Sequence, residues 1–257
     1  MKSHFAVGLV LSVFGCASAQ STAPTSSFQP IDPLVRPTEG PGGFSVSANF
    51  DYAPDVFSSP DETSTSNGLG LSLSGTYNVS SAFSVFGRGR FSANLNQQLN
   101  EGGASGTQTF NLAAPTLGAQ YRFGGAYDPT ISAEATLPLL GQPFGAGLGL
   151  SASLLRDPLI VDGSLSAAYQ AGQGERLAST TIAAGLGVGF AVNESFTLRG
   201  EVTQNWTIAR IVLPSTSIGA SLSYKLDERQ YLRASADVNV LGSAASPRLS
   251  VGYVFRR

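Results

Sequence analysis

Charge is what this sequence has least of. Only 12% of its 257 residues are Asp, Glu, Lys or Arg, about half the share usual in soluble domains. Lysine occurs only at Lys2 and Lys225, cysteine only at Cys16 and histidine only at His4. Each scarcity excludes something. A water-solvated exterior normally carries many Lys and Glu, so this composition is unusual for a soluble barrel or sandwich, the alternative to a membrane barrel. No disulfide framework can form, nor a metal centre built on Cys and His. A Ser-His hydrolase would depend on His4, which lies in a segment expected to be removed. The formal net charge of −2 leaves no basic footprint for nucleic acid. The Phe5–Phe14 apolar run is too short for a transmembrane helix.

Glycine, by contrast, is abundant, at 30 residues. Residues 1–19 read as a signal peptide: Lys2 is the basic start, Phe5–Phe14 the apolar run, and Ala17-Ser18-Ala19 a small-residue cleavage site. Lipoprotein processing at Cys16 is an alternative that fits less well, because Phe14 stands two places before that cysteine. Cleavage after Ala19 leaves 14 basic against 17 acidic residues, a net charge of −3, and no cysteine or histidine. Residues 20–43 carry Pro24, Pro30, Pro33, Pro37 and Pro41 among Ser and Thr. Prolines cannot supply ladder hydrogen bonds, so this stretch is expected to be a flexible periplasmic leader, with a plug inside a barrel as the alternative.

From Phe44 to Arg257 the chain alternates large apolar residues with small or polar ones. The pattern is clearest from Ile182 to Trp206. Ile182, Leu186, Val188 and Phe190 alternate with Gly185, Gly187 and Gly189; after Asn193-Glu194-Ser195, Phe196, Leu198, Val202 and Trp206 alternate with Thr197, Arg199, Glu201 and Thr203. A period of two places successive side chains on opposite faces of a strand, and the short link makes the pair an antiparallel hairpin. The unit recurs through about twelve strands. Tight turns are expected near Asn78–Ser81, Gly124–Asp128, Arg156–Pro158, Asn193–Ser195 and Asp227–Gln230. Long polar loops are expected at Pro54–Ser66 and Asn96–Gly106. In the fourth strand the alternation changes parity at Pro115, which predicts a bulge. An even strand number, with tight turns at one end and longer loops at the other, predicts an all-β, closed antiparallel up-and-down transmembrane β-barrel.

Alternation does not say which face points outward. The polar face is mostly Gly, Ser, Thr and Asn, too poor in charge for a soluble exterior. Aromatic residues gather at strand ends: Tyr77, Phe83, Tyr121, Phe123, Phe190, Tyr224 and Tyr253 near the turns, and Tyr52, Phe91, Phe144, Tyr169 and Trp206 near the loops. Two such belts suit two membrane–water interfaces, so the apolar face is expected to meet outer-membrane lipid.

Parity then assigns the charges to the interior. Arg88, Arg90, Arg122, Arg199, Lys225, Arg233 and Arg248 are the basic lumen-lining candidates, and Asp51, Glu134, Asp162, Glu201 and Asp237 the acidic ones. Strand order predicts two facing clusters, Arg88, Arg90, Arg122 and Glu134 against Arg199, Glu201, Lys225, Arg233, Asp237, Arg248 and Asp51. Such clusters can define a constriction, or can pair simply to fill and rigidify the interior. Gly145-x-Gly147-x-Gly149 and Gly185-x-Gly187-x-Gly189 lie within strands, so they read as small inward residues rather than phosphate loops. No catalytic residues, metal or cofactor are expected.

The region from Gly43 to Arg257 resembles Gram-negative outer-membrane β-barrel proteins. LLRDPLIVDGSLSAAY, GLGVGFAVNESFTL and IGASLSYKLDERQYLRASADV are similar to the transporter-like barrels of the phenol-degradation meta-pathway family. That resemblance implies uptake of hydrophobic compounds. Arg256 and Arg257 follow Phe255 where such barrels commonly end in an aromatic residue. The expected function is therefore a porin-like outer-membrane channel or transporter for small solutes. The alternative is a closed structural or partner-binding barrel with no open pore. No nucleic acid partner is expected, and oligomeric state is left open.

Overall fold

The computed structural model describes residues 41–58, 62–100, 103–138, 143–172, 177–209, 212–241 and 247–257. The expected signal peptide and nearly all of the expected leader lie outside them. The described chain forms twelve strands: β1 (Phe44–Ser58), β2 (Glu62–Asn78), β3 (Phe83–Asn100), β4 (Gly103–Arg122), β5 (Thr130–Thr136), β6 (Gly145–Arg156), β7 (Leu159–Gln170), β8 (Ser179–Asn193), β9 (Phe196–Ile208), β10 (Val212–Lys225), β11 (Gln230–Leu241) and β12 (Pro247–Arg256). Each pairs antiparallel with its neighbours in sequence. β12 closes on β1 from Ser45↔Arg256 to Tyr52↔Leu249. The result is the closed all-β barrel that the alternation predicts, and among the described residues there is no helix.

The outer face carries the large apolar residues. Leu186 is 72% exposed, Leu148 67% and Val251 59%. Within the barrel, the few buried apolar residues include Ile160, Ala183, Tyr231 and Val254. Burial of apolar side chains in a shared core, which stabilises soluble domains, is therefore nearly absent. Closure instead pairs the backbone groups around the whole ring. Tyr77, Phe123, Phe190 and Tyr224 are exposed near the turn end and Phe144 and Tyr169 near the loop end, whereas Phe91, expected near a loop, lies midway along β3.

The turns are built locally. Asn193 Oδ1 accepts the Ser195 amide at 2.8 Å, and Ser80 Oγ accepts the Phe83 amide at 3.0 Å, so short polar side chains stand in for missing ladder partners. Gly124 and Gly125 have φ of +71° and +90°, a conformation that favours glycine. The β3–β4 register shifts between Arg88 and Arg90, opposite Ala114 and Pro115, so the parity change does mark a bulge. Two further register shifts, at Ala191/Asn193 and Thr216/Ser217, have no such proline signal.

The described residues of the two expected long loops are strand, not loop. Strand pairing continues to Ser58↔Thr63 and to Asn100↔Gly103. Backbone hydrogen bonds need no apolar alternation, so Ser-, Thr- and Gln-rich sequence continues these hairpins after the alternation fades. Pro54 is tolerated because the pairing of β1 with β12 has ended at Tyr52, leaving Pro54 on an edge where its missing N–H costs no ladder bond. β5, with seven residues, is far shorter than β4, with twenty.

Candidate channel lumen

The inner face is organised by a repeated device: a glycine on one strand lets long side chains from the strands on either side meet above it. β8 shows it most clearly. Asp162 on β7 and Glu201 on β9 are both register partners of Gly187. Arg199 donates from Nε to Asp162 Oδ2 at 3.0 Å and from Nη2 to Oδ1 at 2.5 Å. Its Nη1 lies 3.1 Å from Glu201 Oε2. A Cβ at position 187 would come within 2.6 Å of Arg199 Nη2 and 2.7 Å of Asp162 Oδ2. Glycine is therefore the residue that lets this triad form.

The same row continues in register: Glu201 faces Gly219 on β10, Gly219 faces Asp237 on β11, and Asp237 faces Arg248 on β12. Farther round, Gly70 on β2 lies between Asp51 and Arg90, whose carboxylate and guanidinium are 3.5 Å apart. Arg88 on β3 pairs with Glu134 on β5 across β4. Gly118 and Gly147, the register partners of Glu134, flank that carboxylate. Beneath it the Phe86 ring points inward over Gly118, with the Arg88 guanidinium 4.9 Å from its centroid. These fixed charges touch solvent inside the barrel, the side chains of Arg88, Arg90 and Glu201 being about one-third exposed.

The grouping differs from the two facing clusters expected. Arg90 joins Asp51 on β1 rather than Glu134. Arg122 sits at the turn end, 3.5 Å from Asp128, a residue held at φ +38°. Asp162, assigned to neither cluster, is the most enclosed acid of the set at 8% exposure. Lys225 and Arg233 lie near the turn end of β10 and β11, away from the central row. Strand order gave the neighbours, but the stagger between strands sets the height at which side chains meet, and single-strand parity carries no stagger.

Several inward residues were missed. Arg256 shares the parity of Arg248 along β12, and Tyr231 that of Arg233 along β11. Parity therefore held the signal for both. They meet at the turn end, with the Arg256 guanidinium 4.7 Å from the Tyr231 ring centroid. Phe86 shares the parity of Arg88 in the same way. Asp128 lies in a turn, where parity says nothing. The Gly-x-Gly-x-Gly stretches lie inside β6 and β8, away from any strand-to-helix turn. Among the described residues, no cluster of three or more His, Cys, Asp or Glu could hold a metal ion.

No protein-family model matches the chain. No curated protein matches it either. Solved structures do. The COG4313 outer membrane channel from Pseudomonas putida F1 is similar at a TM-score of 0.62 and 16% identity, covering 89% of this chain and 100% of that one. The CymD monoaromatic hydrocarbon channel is similar at 0.52 and 10% identity, covering 84% and 88%. The translocator domain of the autotransporter NalP from Neisseria meningitidis is similar at 0.52 and 10% identity, covering 85% and 89%. The chain thus has the fold of outer-membrane β-barrels, a class that includes channels.

Proposed function

We propose that this protein is a non-enzymatic outer-membrane channel that passes small solutes through its lumen. One observation carries the reading: a closed barrel with its large apolar residues exposed outside and ion-paired, partly solvent-exposed charges inside. A protein solvated by water on its outside would have the reverse arrangement. The apolar band faces lipid, the turn end faces the periplasm after export behind a cleaved signal peptide, and the charged row lines the path. The likeness to two channels supports this reading. CymD is described as a monoaromatic hydrocarbon channel, and small hydrophobic compounds are the proposed solutes here.

Planar-bilayer recording of the purified protein should show discrete conductance steps. Absence of both conductance and solute-driven swelling of liposomes carrying the protein would refute the channel. A closed structural barrel is the second reading. It is favoured by the dense packing at the turn end, where Ile160, Thr197, Tyr231, Val254 and Arg256 are all under 9% exposed.

A further inference from the structure

Above the central charged row, toward the loop end, the inner wall is neutral on two opposite sides. β3 and β9 lie half-way round the ring from each other, so they face one another across the lumen. On β3, Ser92, Asn94 and Asn96 share the inward parity of Arg90. Their register partners on β4 are Asn111, Thr109 and Thr107. On β9, Thr203, Asn205 and Thr207 share the inward parity of Glu201. Ser217 and Ser215 on β10 are the partners of the first two, and Thr181 on β8 that of the third. No residue in 92–96, 107–111 or 203–207 is charged.

These side chains are open to water. Thr107 and Asn111 are exposed, and Asn94, Asn96, Thr203, Asn205 and Thr207 are half-buried. They also keep hydrogen-bonding capacity. Ser66 Oγ donates to Asn96 Oδ1 at 2.7 Å, which leaves both N–H donors of that amide for another partner. The Thr181 and Thr207 hydroxyls share one hydrogen bond of 3.4 Å, so only one of their two protons is used between them. Below these walls the charges are already matched, Arg199 to Asp162 and Glu201, and Arg90 to Asp51.

A charged solute entering between such walls sheds part of its hydration and meets no opposite charge in return. A neutral hydroxylated solute exchanges hydrogen bonds to water for hydrogen bonds to amides and hydroxyls, at little net cost. We propose that the loop-end half of the lumen selects neutral, polyhydroxylated solutes, sugars and polyols, over charged ones of the same size. The proposal rests on the channel reading and adds a solute class to the small hydrophobic compounds.

The test is osmotic swelling of liposomes carrying the full protein, with three probes that share one ring: glucose, glucuronate and, in acidic buffer, glucosamine. Glucose should enter at least about fivefold faster than either charged analogue. Asn94→Leu with Asn205→Leu, one change on each wall, should slow glucose about fivefold. Thr107→Val with Thr207→Val keeps side-chain shape and gives an independent pair should the first not fold; it should slow glucose about twofold. Gln97→Leu, on the outward face of β3, should change nothing. Folding is read from heat-modifiable migration on gels, and KCl conductance of each variant in planar bilayers reports lumen width. Entry of glucuronate or glucosamine as fast as glucose would overturn the proposal. So would unchanged glucose entry in a folded double variant, or a loss of conductance equal to the loss of glucose entry, which would show narrowing alone. Conductance without glucose entry removes the solute class and leaves the channel. Absence of both conductance and swelling removes the two together.

Discussion

Replacing Arg199 by methionine tests whether the interior triad stabilises the barrel. Arg199 and Asp162 have side chains only 7% and 9% exposed, joined by two hydrogen bonds of 2.5 and 3.0 Å. Arg199→Met leaves the Asp162 carboxylate enclosed with neither bond, a change that typically costs about 3–5 kcal/mol. The second partner, Glu201, is 31% exposed, so lumen water screens its loss to less than about 1 kcal/mol. The Asp162 term therefore dominates. Removing both charges, in Arg199→Met with Asp162→Leu, takes away the enclosed charge as well as its partner, and most of the lost stability should return. The double-mutant cycle should give a coupling of at least about 2–3 kcal/mol. Urea unfolding in lipid vesicles can be followed by Trp206, the single tryptophan, which lies on the outer face. The dependence on urea should keep its slope, so that midpoints report stability. A cost below about 1 kcal/mol for Arg199→Met, or a double variant no more stable than the single one, would refute the assignment of stability to this pair.

Other outcomes follow from the same geometry. A Cβ at Gly118 would lie 2.6 Å from the Ala133 carbonyl oxygen and 2.3 Å from the Phe86 ring, and backbone cannot yield cheaply. Gly118→Ala should therefore cost about 1–3 kcal/mol in vesicle unfolding, whereas Gly200→Ala, with open space around it, should be near neutral. Equal effects would contradict the inward placement of Phe86. Leu186→Arg, at the most exposed apolar position, should destabilise the lipid-embedded protein by about 2–4 kcal/mol if it sits near the bilayer midplane. A neutral result would contradict lipid contact there. Glu201→Gln with Asp237→Asn removes two carboxylates from the central row and should shift the reversal potential in a KCl gradient toward anion preference; an unchanged potential would place the ion path elsewhere.

Much of the barrel was legible in residue order because a strand has a period of two. Leu186, Val188 and Phe190 against Gly185, Gly187 and Gly189 fix two faces of β8 without reference to any other strand. The turn chemistry of Asn193 and the parity break at Pro115 are local too, and both read correctly. The hairpin extensions beyond Pro54 and Asn96 were not legible, since their backbone pairing leaves no apolar pattern.

Which interior charges meet was settled only by the closed tertiary structure. The sequence by itself determined that Arg90, Arg122, Asp162 and Arg199 share the inner face. It did not determine that Arg90 reaches Asp51 over Gly70, that Arg122 turns to Asp128, or that Arg199 closes on Asp162 over Gly187. Those contacts depend on strand stagger and on the curvature that brings β1 against β12. Both are set by hydrogen-bond register around the whole ring, to which every strand contributes and which no single strand encodes.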